Sequence, residues 1–89
     1  MCHILSMKNE DKEYFIFRSE LVQKIETRRK ELSLTQENME DGDWSINVRT
    51  YQRIENIETD VTLKNLFYIC KKLQMNPAKL FSDLPFDQH

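Results

Sequence analysis

The apolar positions Leu21, Ile25 and Leu32 are spaced by four and seven, with Arg28, Arg29 and Lys30 beside them. This is the stripe of an amphipathic helix over residues 20–32, with Ser19 as its N-cap and Glu20 in the first turn. Ser33 breaks the pattern, and Thr35 is placed to cap a second, short helix that begins with Gln36, Glu37 and Asn38 and stops at Asp41-Gly42-Asp43. Trp44 and Ile46 return the chain to the core. Asn47 then caps a third helix over residues 48–56, with Tyr51 and Ile54 on one side and Arg49, Arg53 and Asn56 on the other. Thr62 caps a fourth helix whose apolar side takes Leu63, Leu66, Phe67, Ile69, Cys70 and Leu73. Asn76 and Pro77 open a fifth over residues 77–81.

The segment ahead of residue 19 follows no such period. KNEDKE at residues 8–13 is polar and expected to be loosely ordered. Tyr14, Phe15, Ile16 and Phe17 form a run too short to separate an extended arm from the first turn of a helix. These aromatics either cap the small core or form a dimer contact, with Tyr14, Phe15 and Phe17 as the candidate residues. The resulting division is an N-terminal arm at 1–18, a helical domain at 19–82 and a C-terminal tail at 83–89. With one glycine and two prolines in 89 residues, the class is all-α.

Composition narrows the functional classes. A chain with 39% hydrophobic and 31% charged residues belongs with soluble single domains, and no apolar run is long enough to span a membrane. The opening residues lack the pattern of a secretory signal, which with two unpaired-looking cysteines, Cys2 and Cys70, points to a cytoplasmic protein. His3 and His89 have no ligand partners at suitable spacing, so no metal or other cofactor is expected. No nucleophile, base and phosphate loop occur together, and an enzyme is not expected. The net charge of -2 is unevenly spread: residues 34–46 carry -4 and residues 47–56 carry +1.

The runs LTQENM, RTYQRIEN and TLKNLFYICKKLQMNPAKLF, in that order, resemble the Cro and phage-repressor type of helix-turn-helix domain, the xenobiotic-response-element family, over roughly residues 20–81. The resemblance implies a five-helix, lambda-repressor-like DNA-binding domain whose third helix enters the major groove of duplex DNA. It implies base contacts from Val48, Arg49 and Arg53, and backbone contacts from Gln36, Asn47, Thr50 and Asn56, with Lys64 near the phosphates. It also pairs Arg29 with Glu55 as a partly buried structural ion pair. Members of the family commonly bind as homodimers.

Three departures from the family pattern stand out. The interval from Gln36 to Arg53 is one residue longer than usual, Glu40 replaces a small alanine, and Ile57, Glu58 and Asp60 replace a glycine and basic residues after Asn56. Acid beside the motif repels phosphate, so the rival expectation is a protein-binding module on the same fold, an antitoxin bound to a toxin or an adaptor. Trp44, Phe67 and Phe81 are expected in the core, and Cys70 is expected to pack there rather than react.

Overall fold

The computed structural model describes residues 8–86, and the expectations on Cys2, His3 and His89 lie outside them. Four α-helices and one 3-10 turn are formed among these residues: α1 (Asn9–Glu31), the 3-10 turn (Glu37–Glu40), α2 (Val48–Glu55), α3 (Leu63–Lys72) and α4 (Pro77–Ser82). The all-α class agrees with the sequence pattern; the second of the five expected helices is reduced to a single 3-10 turn. None of the helices is long and apolar enough to cross a membrane.

The start of α1 departs most from the sequence expectation. The helix does not begin after Ser19 but runs unbroken from Asn9, so residues 9–18 are not a separate arm and KNEDKE is helical. Tertiary anchors supply what the apolar period lacked. Phe17 stacks on Phe81 at 6.2 Å and meets Phe86 edge-on at 6.2 Å, tying the early turns of α1 to α4 and the residues after it. The Tyr14 hydroxyl donates to Asp60 at 2.8 Å, and the Arg18 guanidinium donates to the same carboxylate, joining α1 to the loop between α2 and α3. These two bonds hold the Asp60 carboxyl below its usual range, that from Tyr14 first and that from Arg18 next.

Ser19 is therefore inside the helix, its hydroxyl buried without a hydrogen-bond partner. Replacing it by alanine removes an unpaired polar atom and improves helix propensity, so Ser19→Ala should raise stability by about 0.5 to 1 kcal/mol. A residue acting as an N-cap would instead lose about 1 kcal/mol on the same change, and urea unfolding separates the two.

Leu21, Val22 and Ile25 of α1 pack with Met39 of the 3-10 turn, Ile46, Tyr51 and Ile54 of α2, Leu66, Ile69 and Cys70 of α3, Leu73 and Leu80. Leu84 is buried in the same cluster, so the packed unit extends past residue 82 into the segment expected to be a tail. Burial raises the Cys70 thiol pKa and keeps the thiolate scarce, which agrees with a packing role. Helix α1 contacts both α2 and α4, and the 3-10 turn lies against α2.

Three helices end in the same way. After α1, α2 and α3 the chain passes through a left-handed residue, Ser33, Ile57 and Gln74 respectively. In each case the next amide reaches back five residues, as from Glu58 to the Arg53 carbonyl at 2.9 Å. This is the Schellman closure, usually built on glycine. A β-branched residue at φ 59° is costly, and Ile57 is retained there while its side chain packs against the core.

Three large residues expected in the core are exposed instead. Trp44 is 42%, Phe67 49% and Phe81 39% accessible, and Leu63, expected on the apolar side of its helix, is 83% accessible. The inward stripe of α3 is Leu66, Ile69, Cys70 and Leu73, which places Leu63 and Phe67 outside it.

Candidate nucleic-acid interface

Helix α2 is short, and its ends are fixed by side chains as much as by backbone. The Asn47 side-chain oxygen accepts from the backbone N–H groups of Arg49 at 3.0 Å and Thr50 at 3.3 Å, satisfying two otherwise unpaired donors. Its amide nitrogen donates to Glu40 at 3.4 Å. Replacing Asn47 by alanine should cost about 1 kcal/mol and fray the first turn, measurable as faster amide exchange at residues 49 and 50.

Below the exposed face, Tyr51 and Ile54 anchor α2 in the core. The Tyr51 hydroxyl donates to Glu55, and burial, reinforced by that carboxylate, pushes its pKa well above the ordinary tyrosine range. Arg29 Nε donates to Glu55 Oε2 at 3.1 Å, with both side chains less than a tenth exposed. Burial is the largest single influence on Arg29 and opposes its charge, but the hydrogen bonds and negative charge supplied by Glu55 and Tyr51 together outweigh it, leaving the guanidinium pKa raised. A second guanidinium nitrogen of Arg29 donates to the Leu34 carbonyl at 2.7 Å. The other Glu55 oxygen accepts from the Gln36 side chain at 2.7 Å. Helix α1, the 3-10 turn and α2 thus meet at one carboxylate, which fixes how α2 is presented.

Arg49 and Arg53 are exposed on the outer face of α2, one turn apart. Neither guanidinium has an acidic partner within 4 Å among the described residues. With Gln52, Asn56 and Glu58 they border a shallow open cleft of about 230 Å³. Asn56 is exposed at the C-cap of the helix, whereas Val48 and Thr50 are half-buried beside the two arginines.

Two of the remaining expected contacts are not on this face. Gln36 is half-buried and committed inward to Glu55 and to Gln52, whose side chain donates to it at 3.3 Å; a phosphate contact would require breaking these bonds. Lys64 is on α3, its ammonium 5.8 Å from the centre of the Tyr68 ring. The expected dimer residues also separate. Phe17 is engaged within the chain, Tyr14 is bonded to Asp60, and Phe15 is half-buried.

Gln52 was missed at the sequence level, and Glu58 was singled out only as an acidic replacement after the motif, not as part of this cleft. Gln52 lies three residues after Arg49, a spacing that places it on the same face and could have revealed it. Glu58 enters the cleft through the turn at Ile57, which no helical period foretells.

The turn before α2, residues 41–46, is built around Gly42 at φ 65° and Trp44 at φ 59°. The Lys72 ammonium donates to the Asp41 and Asp43 carbonyls, the latter at 3.0 Å, and ties this turn to the end of α3. Glu37, Glu40, Asp41 and Asp43 remain exposed around it. Glu40 is exposed, its carboxylate accepting from Asn47 at the cap of α2. No protein-family model, curated protein or solved structure matches the chain.

Proposed function

We propose that this chain is a small cytoplasmic transcriptional regulator of the Cro and phage-repressor helix-turn-helix type, binding double-stranded DNA as a homodimer. In this reading the 3-10 turn and α2 form a shortened helix-turn-helix, giving a reduced version of the five-helix lambda-repressor-like domain. Helix α2 is the recognition helix. The observation that carries the reading is the pair Arg49 and Arg53, exposed without acidic partners on a helix whose orientation is fixed by the buried Arg29–Glu55 contact. An arginine can take both guanine acceptors of the major groove at once, which makes it the commonest specific reader there. Val48 lies between the arginines and the core and suits an apolar contact, while Thr50 and Asn56 flank them on the backbone side. Gln36 is set aside as a phosphate contact because Glu55 holds it.

A second reading, a protein-binding module such as a toxin-neutralising antitoxin or an adaptor, draws on one observation. The exposed aromatics Trp44 and Phe67 stand apart from the arginine face and beside the acidic turn. The two readings differ in which surface a duplex perturbs. Titrating a random-sequence duplex into isotopically labelled protein at low salt should shift the amides of residues 47–56 first. Absence of any shift in that segment overturns the DNA reading.

A further inference from the structure

We propose that the cavity between the first turns of α1 and the segment after α4 binds a quaternary ammonium head group. The site stands apart from the DNA reading and shares no residue with the cleft of α2. Glu10, Glu13, Tyr14 and Phe17 follow the i, i+3, i+4, i+7 spacing, so all four fall on one side of α1. Pro85 and Phe86 line the same open cavity, which has a volume of about 260 Å³. Sites for drug-sized molecules run from about 300 to 1,000 Å³, so this one suits a single small head group.

The walls are held in place by contacts within the chain. The Tyr14 hydroxyl is bonded to Asp60, and Phe17 is stacked on Phe81 and meets Phe86 edge-on. Buried Leu84 anchors the chain just before Pro85, whose ring restricts the backbone leading to Phe86. Tyr14 nevertheless stays 48% and Phe86 71% accessible, which leaves aromatic surface open to a ligand.

Charge selects the occupant. Neither Glu10 nor Glu13 has a basic partner within 4 Å among the described residues. Lys8 and Lys12 of the same segment do not line the cavity. Arg18 lies over the Tyr14 ring at 5.5 Å, but its charge is matched by Asp60, as that of Lys24 is by Asp83. The two carboxylates and the negative faces of the rings therefore attract a cation together. The dipole of α1 accounts for Glu10 in the first turn, but its effect has fallen off by Glu13. A primary ammonium brings three N–H donors, and the rings and the proline offer its inner side no ordinary acceptor. A quaternary ammonium has no donor to leave unpaired, so it fits aromatic walls beside exposed carboxylates.

The larger groove between α1 and α4 selects no ligand class. Its Lys24 and Arg28 are spent on the carbonyls of Lys79, Leu73 and Gln74, and its exposed charges are of both signs.

Titrating choline into the isotopically labelled intact chain at constant ionic strength, followed by NMR, tests the assignment. Saturable shifts should be confined to residues 10–17 and 84–86, with a roughly millimolar Kd. The neutral carbon isostere of choline, 3,3-dimethylbutan-1-ol, should bind about tenfold more weakly or worse. Phe86→Ala and Glu13→Gln, both at exposed positions and checked for folding by far-UV circular dichroism, should each weaken choline binding by about twofold to fivefold. Glu37→Gln, which removes an exposed carboxylate outside the cavity, should leave it unchanged. Peptides carrying one lysine or one trimethyllysine separate the sources. Trimethyllysine binding more tightly than choline assigns the head group to a partner's side chain, and the reverse assigns it to a free compound. No saturable shift by about 100 mM choline would overturn the proposal. So would an isostere that binds as well as choline, full binding in both cavity variants, or a lysine peptide that matches its trimethylated form.

Discussion

Replacing Arg29 by methionine is expected to lower stability by about 3 kcal/mol or more, the largest effect of any single change considered for this fold. Glu55 accepts from Arg29, Gln36 and Tyr51, and its side chain is almost wholly buried. Without the guanidinium, two neutral donors are left to hold a desolvated carboxylate, and the Leu34 carbonyl loses its Arg29 donor. Domains of this length have about 4 to 13 kcal/mol to lose, so much of the margin disappears. The midpoint of thermal unfolding should fall by about 4 to 8 °C per kcal/mol. In a Glu55→Gln background the same change at Arg29 should cost markedly less, because no buried charge remains to be stranded. Equal costs in the two backgrounds would show that the pair is not coupled.

Replacing Arg49 and Arg53 together by alanine should have the opposite profile. Both are exposed and without acidic partners within the described residues, so stability should change by no more than about 0.5 kcal/mol. Affinity for a preferred duplex, obtained by selection from a randomised pool, should fall by about 1 to 3 kcal/mol for each arginine that reads a guanine. The preference over random sequence should shrink with it. Lys64→Ala should instead weaken binding to all sequences alike if its ammonium meets a phosphate. A double variant that keeps full affinity and preference would remove α2 from the interface.

Where local chemistry decides structure, the chain was legible. Asn47, Thr62 and Asn76 each accept from the backbone N–H groups of the helix they open, and Thr35 and Asn38 cap one another at the 3-10 turn. Polar side chains at helix starts act over two or three residues, a range that a sequence pattern captures. The start of α1 was not legible because Phe17 is held by Phe81 and Phe86, partners more than sixty positions away. Tertiary contacts of that kind override a local cap, and Ser19 is carried into the helix despite its residue type.

The candidate site divides in the same way. The period of α2 separates Arg49 and Arg53 from Tyr51 and Ile54, which is enough to predict which side faces outward. That Gln36 is spent on Glu55 depends on how the 3-10 turn sits against α2, a relation set by packing. Trp44 was expected in the core because large apolar residues usually are. Its exposure follows from the left-handed backbone of a turn held by Lys72, a residue nearly thirty positions downstream.

The most direct test of DNA recognition by α2 is the salt dependence of wild-type binding to duplex DNA, followed by fluorescence anisotropy. A protein that places cations among phosphates displaces condensed counterions, so the logarithm of the association constant should fall linearly with the logarithm of salt, with a slope of several units. Undetectable binding at about 50 mM salt, where this attraction is strong, would contradict the account and leave α2 as the polar face of a protein-binding module.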